Sequence, residues 1–111
     1  MNPLSRNSTP EIGVDELADL VQKGSVRILD VREDWEFRRG RVPGAISVPL
    51  GRLTAQVAGL PRDKRYAVIC EHGNRSLAAT DYLLGQGFEG AVSVRGGTTA
   101  WARTQRQLER D

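Results

Sequence analysis

Residues 66–76, Tyr-Ala-Val-Ile-Cys-Glu-His-Gly-Asn-Arg-Ser, decide the fold: an apolar run ends there on the only cysteine of the chain, and a helix-forming run begins. Tyr66 to Cys70 is the most strand-like stretch in the sequence, apolar and too short for a helix. Ser76 to Gly87 places Ala79 and Leu83 one helical turn apart and ends on Gly85 and Gly87. Strand, short loop and helix in this order predict a βα unit with Cys70 at the carboxyl end of its strand.

The same alternation extends outward on both sides. Residues 1–10 are polar, hold two prolines and are expected to form a flexible tail before a single domain over 11–111. A helix is predicted over 14–24, from Leu17, Leu20 and Val21 to Gly24, and a buried strand over 26–31. A short helix over 33–40 carries acidic residues in its first turn and basic ones in its last, as the helix dipole favours. After a Pro-Gly turn, a strand over 45–48 closes at Pro49, and Leu53, Val57 and Leu60 share one face of a helix over 52–60. Beyond the cysteine unit come a strand over 91–94, a tight turn at Gly96 and Gly97, and a polar helix over 98–110 anchored by Trp101. Strands alternating with helices predict a parallel α/β sheet covered on both faces, with right-handed crossovers. Ligands in such sheets bind at the carboxyl ends of the strands, where Cys70 stands.

With 111 residues the chain has room for one core and not two. No apolar run is long enough to span a bilayer, and the first residues lack the apolar centre of a leader, so a cytoplasmic location is expected. One cysteine excludes an internal disulfide, which agrees with a reducing compartment. Arg38, Arg39 and Arg41 cluster, as do Arg62, Lys64 and Arg65, yet the net charge is only +2. That is too little basic excess, with too few interleaved aromatics, for nucleic acid; solvated surface or a mild bias toward a small anion fits better.

The loop after Cys70 has parts suited to an anionic sulfur. Its N–H groups and the first turn of the following helix are donors without intrahelical partners. Gly73 permits backbone angles that curl such a loop into an anion-binding nest, and Arg75 adds a permanent positive charge. These features favour a thiolate, or a persulfide anion built on it. The competing interpretation is an inert cysteine packed as a small hydrophobe.

Four blocks carry a resemblance. They are Leu-Asp-Val-Arg at 29–32, Gly-Arg-Val-Pro-Gly-Ala at 40–45, Cys-Glu-His-Gly-Asn-Arg-Ser at 70–76 and Gly-Gly-Thr-Thr-Ala-Trp at 96–101. In this order and spacing, from about Ile12 to Trp101, the chain resembles the single-domain rhodaneses; it departs from their pattern at Arg41, where histidine is usual. The resemblance implies a rhodanese-like α/β fold with a mainly parallel five-stranded sheet and helices on both faces. It implies sulfane-sulfur transfer through a Cys70 persulfide held by the loop Glu71, His72, Gly73, Asn74, Arg75 and Ser76. The donor would be thiosulfate or a similar small anion. The acceptor would be cyanide, a thiol, a thioredoxin-like protein or another sulfur-accepting protein, and no metal or organic cofactor is implied.

Asp30 and Arg32 end a strand at the same sheet edge and are expected to fix loops as an ion pair, while Glu36 and Arg41 tie neighbouring loops. His72 is either an exposed loop residue or a proton donor, and beside a lone Cys it makes a poor zinc site. Trp35 and Trp101 are expected to pack, although Trp35 could line the mouth; Gly96 and Gly97 serve a turn and could shape the pocket. Two other functions use this scaffold. Cysteine-dependent phosphatases and arsenate reductases are disfavoured because the phosphatase loop holds one residue more than the four between Cys70 and Arg75. A non-catalytic binding or regulatory module is disfavoured because Cys, Gly and Arg are all present.

Overall fold

The computed structural model describes residues 8–111, so most of the expected tail lies outside the described residues. Five strands form one sheet: β1 (Glu11–Ile12), β2 (Val26–Asp30), β3 (Ile46–Ser47), β4 (Arg65–Ile69) and β5 (Val92–Val94). Their order is β1-β5-β4-β2-β3, and every pairing is parallel. The helices are α1 (Val14–Gln22), α2 (Asp34–Arg39), α3 (Leu53–Gln56), α4 (Arg75–Gly85) and α5 (Gly97–Arg103).

Side-chain alternation along β4 divides the core into two layers. Tyr66, Val68 and Cys70 face one side, where they meet Leu53 and Val57 from the α3 region and Ala79 and Leu83 of α4. Ala67 and Ile69 face the other, against Leu17 of α1 and Trp101 of α5. This parity carries the argument for the site: it sends the cysteine side chain to the α4 layer, beneath the first turn of that helix. On the same layer the ring edge of Tyr66 meets Phe88, with centroids 5.8 Å apart, and the Tyr66 hydroxyl donates to the carbonyl of Pro61.

Three sequence expectations are corrected. β1 was not anticipated: two residues cannot show a periodicity, and the strand exists through its pairing, with the N–H groups of Ser93 and Arg95 donating to the carbonyls of Pro10 and Ile12. The helix expected over 52–60 keeps α-geometry only across Leu53–Gln56, flanked by tighter 3₁₀ turns. The final helix stops at Arg103 instead of running to Arg110. Residues 104–111 instead fold back as a strap: Glu109 and Arg41 exchange two backbone hydrogen bonds, and the Trp101 indole donates to the carbonyl of Gln107. Leu108 is the one large apolar side chain of that segment, and packing it against the core beside Gly40 outweighs helix propensity.

Candidate active site

Cys70 follows β4 directly and is 1% exposed. Its Sγ accepts hydrogen bonds from the N–H of Gly73 at 3.1 Å and of Ser76 at 3.3 Å. The Ser76 donor belongs to the first turn of α4, where N–H groups have no intrahelical partner, so the sulfur takes the place of a capping side chain. Ser76 Oγ lies 3.5 Å from Sγ and 2.8 Å from Ser93 Oγ, with both serines fully buried. The result is an inward-facing sulfur that accepts from two backbone N–H groups.

The loop is held from behind by the Gly-Gly-Thr-Thr segment. The N–H groups of Thr98 and Thr99 donate to the carbonyls of Cys70 and Glu71, at 2.9 and 3.1 Å. The Thr98 hydroxyl also donates to the Cys70 carbonyl, at 3.2 Å. Gly97 is demanded by this approach: its φ is +60°, and a Cβ there would overlap the Cys70 carbonyl oxygen and lie 2.6 Å from that of Glu71. Gly73, at φ +101°, makes the turn that aims its own N–H at the sulfur.

Two ion pairs fix the flanks. Asp30 and Arg32 are 1% and 2% exposed and joined through two oxygens, with Nε to Oδ1 at 3.0 Å and Nη2 to Oδ2 at 2.8 Å. Arg32 also donates to the Gly40 carbonyl at 2.8 Å and to Glu71 Oε1 at 3.1 Å. Burial opposes its charge, but the bonds to Asp30 and then Glu71 outweigh that, and its pKa lies above the ordinary guanidinium value. Glu36 receives both terminal nitrogens of Arg75, at 2.7 and 2.9 Å, and accepts from the Glu33 N–H in the capping box that starts α2. The Arg75 hydrogen bond is the main reason that the Glu36 carboxyl is held down to about 2, and the same bond raises Arg75.

The structure thus brings Cys70, Gly73, Arg75, Ser76, Asp30, Arg32 and Glu36 to one edge. Arg75 is not a free cation, because Glu36 anchors it. The Glu71 side chain is taken by Arg32 and Thr99, and Asn74 is exposed and makes no side-chain cap to α4. His72 is exposed, its Nδ1 3.3 Å from the Thr99 hydroxyl. No cluster of three or more metal-ligating side chains occurs among the described residues. Arg41 pairs with Asp111 and stacks on Phe37, tying the strap to α2. Trp101 packs as expected but Trp35 does not: it is 55% exposed, on the wall of a cavity of about 580 Å³ beside the loop.

Sequence reasoning missed Ser93, Thr98 and Thr99. Ser93 had a usable signal, a polar residue inside an apolar strand. Its pairing opposite Val68 puts it on the Cys70 face of the sheet.

Comparison with known proteins agrees with this geometry. The family model described as "Rhodanese-like domain" matches residues 13–104. A sulfurtransferase of Allochromatium vinosum is 32% identical over 94 residues, covering 84% of this chain and 88% of that protein. The thiosulfate sulfurtransferase GlpE of Shewanella oneidensis is 32% identical over 95 residues, covering 86% and 94%. Among solved structures, a rhodanese-related protein from Thermoplasma volcanium superposes with a TM-score of 0.85 at 34% identity, covering 92% of this chain and 99% of that one. A parallel sheet that delivers a cysteine into a Cys-x-x-Gly-x-Arg-Ser loop, and a family match through all but the strap and β1, lead to one conclusion: the chain belongs to the rhodanese-like domain family.

Proposed function

We propose that the protein is a sulfurtransferase that carries sulfane sulfur as a persulfide on Cys70. The observation that carries this is the setting of Sγ: buried at the carboxyl edge, with the N–H groups of Gly73 and Ser76 aimed at it. In the first half-reaction the Cys70 thiolate attacks the outer sulfur of thiosulfate. The new S–S bond forms on Cys70, the bond to the sulfonate sulfur breaks, and its electron pair leaves with sulfite. In the second, a nucleophile such as cyanide or a thiolate attacks the terminal sulfur, and the electron pair of the broken bond returns to Cys70. Two half-reactions through a covalent intermediate predict ping-pong kinetics. The donors at Gly73 and Ser76 stabilise negative charge on the sulfur. The short loop from Cys70 to Arg75 suits a sulfur atom better than a tetrahedral phosphate.

Incubation with thiosulfate, followed by intact mass measurement and a thiocyanate assay with cyanide, tests this. The expected result is a gain of one sulfur atom, absent in Cys70→Ser, and thiocyanate production. Failure to take up sulfur from thiosulfate and other sulfane donors, together with turnover of a phosphate ester, would overturn it.

A further inference from the structure

The strap over 104–111 is paired to the peptide unit between Gly40 and Arg41, and that same unit reaches the surroundings of Cys70. Its N–H side faces the strap: Arg41 N–H donates to the Glu109 carbonyl at 2.9 Å, and Glu109 N–H returns a bond to the Arg41 carbonyl at 2.8 Å. Its oxygen faces the other way, where the Gly40 carbonyl accepts from Arg32 Nη2 at 2.8 Å. A trans peptide is planar, with N–H and C=O pointing in opposite directions. The unit therefore cannot turn toward or away from the strap without also turning at Arg32.

From that oxygen the contacts run on to the cysteine loop. Arg32 is 2% exposed, so the hydrogens of its guanidinium have to be met inside the fold. The guanidinium is a rigid planar fork: Asp30 and the Gly40 carbonyl hold Nη2, and that orientation brings Nη1 to Glu71 Oε1, 3.1 Å away. Glu71 is the first residue of the loop that turns the Gly73 and Ser76 N–H groups toward Sγ.

The strap is fastened at this same point by side chains. Arg41 Nη1 lies 2.8 Å from Asp111 and donates to the Phe37 carbonyl at 3.2 Å, with the guanidinium 4.6 Å from the Phe37 ring centroid. Leu108 packs beside Gly40, so an apolar contact backs the two hydrogen bonds. Residues 105–111 lie outside the family match. We infer that the strap positions the catalytic loop, with the Gly40–Arg41 peptide, Arg32 and Glu71 as the connection. Arg41 and Glu109 are its positioning residues and do not touch the sulfur. The effect on sulfur transfer rests on the Cys70 persulfide proposed above; the effect on the loop does not.

Glu109→Pro removes the N–H bonded to the Arg41 carbonyl and leaves every side chain around Cys70 in place. Arg41→Gln, which releases Asp111 and the Phe37 ring, is the second variant. Amide exchange followed by NMR should be about fivefold faster at Gly73 and Ser76 in both variants, with the β4 amides unchanged. Tyr66→Phe serves as a control, since it loses the bond to the Pro61 carbonyl far from the strap. It should leave the ratio of loop to β4 exchange at its wild-type value. In a Glu71→Ala background, where the connection is already cut, Glu109→Pro should accelerate the loop amides no further. Exchange that rises equally in β4 and the loop overturns the inference, because the strap would then only stabilise the fold. So does an undiminished effect of Glu109→Pro in Glu71→Ala. With thiosulfate, the saturating rate of sulfur loading in Glu109→Pro should fall about threefold at an unchanged half-saturating concentration. An unchanged saturating rate overturns the strap's part in the reaction. If thiosulfate never loads wild-type Cys70, the sulfur-transfer function fails by itself, and the exchange measurements still decide the strap.

Discussion

At Cys70 the backbone and two hydroxyls share the task of surrounding one sulfur atom. The N–H groups of Gly73 and Ser76 reach it directly, while Ser93 acts one step back, 2.8 Å from the Ser76 hydroxyl. Removing the Ser93 hydroxyl leaves a fully buried Ser76 oxygen with only a sulfur beside it and no longer oriented. Ser93→Ala should therefore cost about 1 kcal/mol of stability and slow sulfur loading about fivefold. Urea unfolding and the rate of mass gain with thiosulfate measure the two effects. Lost stability with an unchanged loading rate would show that the hydroxyl only fills space. The signal for Cys70 was strong in the sequence because Gly73, Arg75 and a helix start follow it at close range. Ser93 was harder to see, since its relation to Cys70 depends on which strand lies next to which. Adjacency of that kind is set by the fold and leaves no local mark.

Between elements, the decisive contact is Glu36 with Arg75, which fastens α2 to the first turn of α4 across 39 positions of sequence. Glu36 also begins α2 through its capping box, so one carboxylate starts one helix and holds another. Its pKa is held down to about 2, below the ordinary carboxyl value. A lowered folded-state pKa contributes stability that is fully present above the unfolded-state value near 4.5 and lost as pH falls toward about 2. Glu36→Gln should remove that dependence: its melting temperature should fall less steeply than that of wild type between those two pH values, from a lower starting point. Thermal unfolding at a series of pH values checks it, and parallel curves would exclude Glu36 as the titrating group. The sequence showed α2 and its charge gradient. It could not show that Arg75 is anchored and not free, because ion pairing over such a separation follows from packing alone. The strap over 104–111 was hidden for a similar reason: Leu108 and Trp101 find partners that no helical periodicity records.

Across the whole molecule, five parallel strands present their carboxyl ends to one edge, and both ion pairs, the clamp and the cavity gather there. The layered α/β architecture was legible because Ile28-Leu29 in β2 and Tyr66-Ala67-Val68-Ile69 in β4 are short apolar runs, as strands covered on both faces require. The length of the edge strands was not, since β1 and β3 have two residues each. One consequence follows from the depth of Cys70, which is 1% exposed in this frame. Adding an outer sulfur lengthens the side chain by one S–S bond, about 2 Å. Whatever delivers or removes that sulfur must reach into a recess, so the recess limits the size of molecule that can touch it. Iodoacetamide should label the empty thiol far faster than a bulky dye-maleimide does, as mass spectrometry of the two adducts would reveal, and equal rates would show that the thiol is not recessed. Depth in the fold works here as a sieve: it slows delivery and removal of sulfur by large partners alike, because both directions pass through the same transition state, so it sets who takes part in the exchange and not which way the exchange runs.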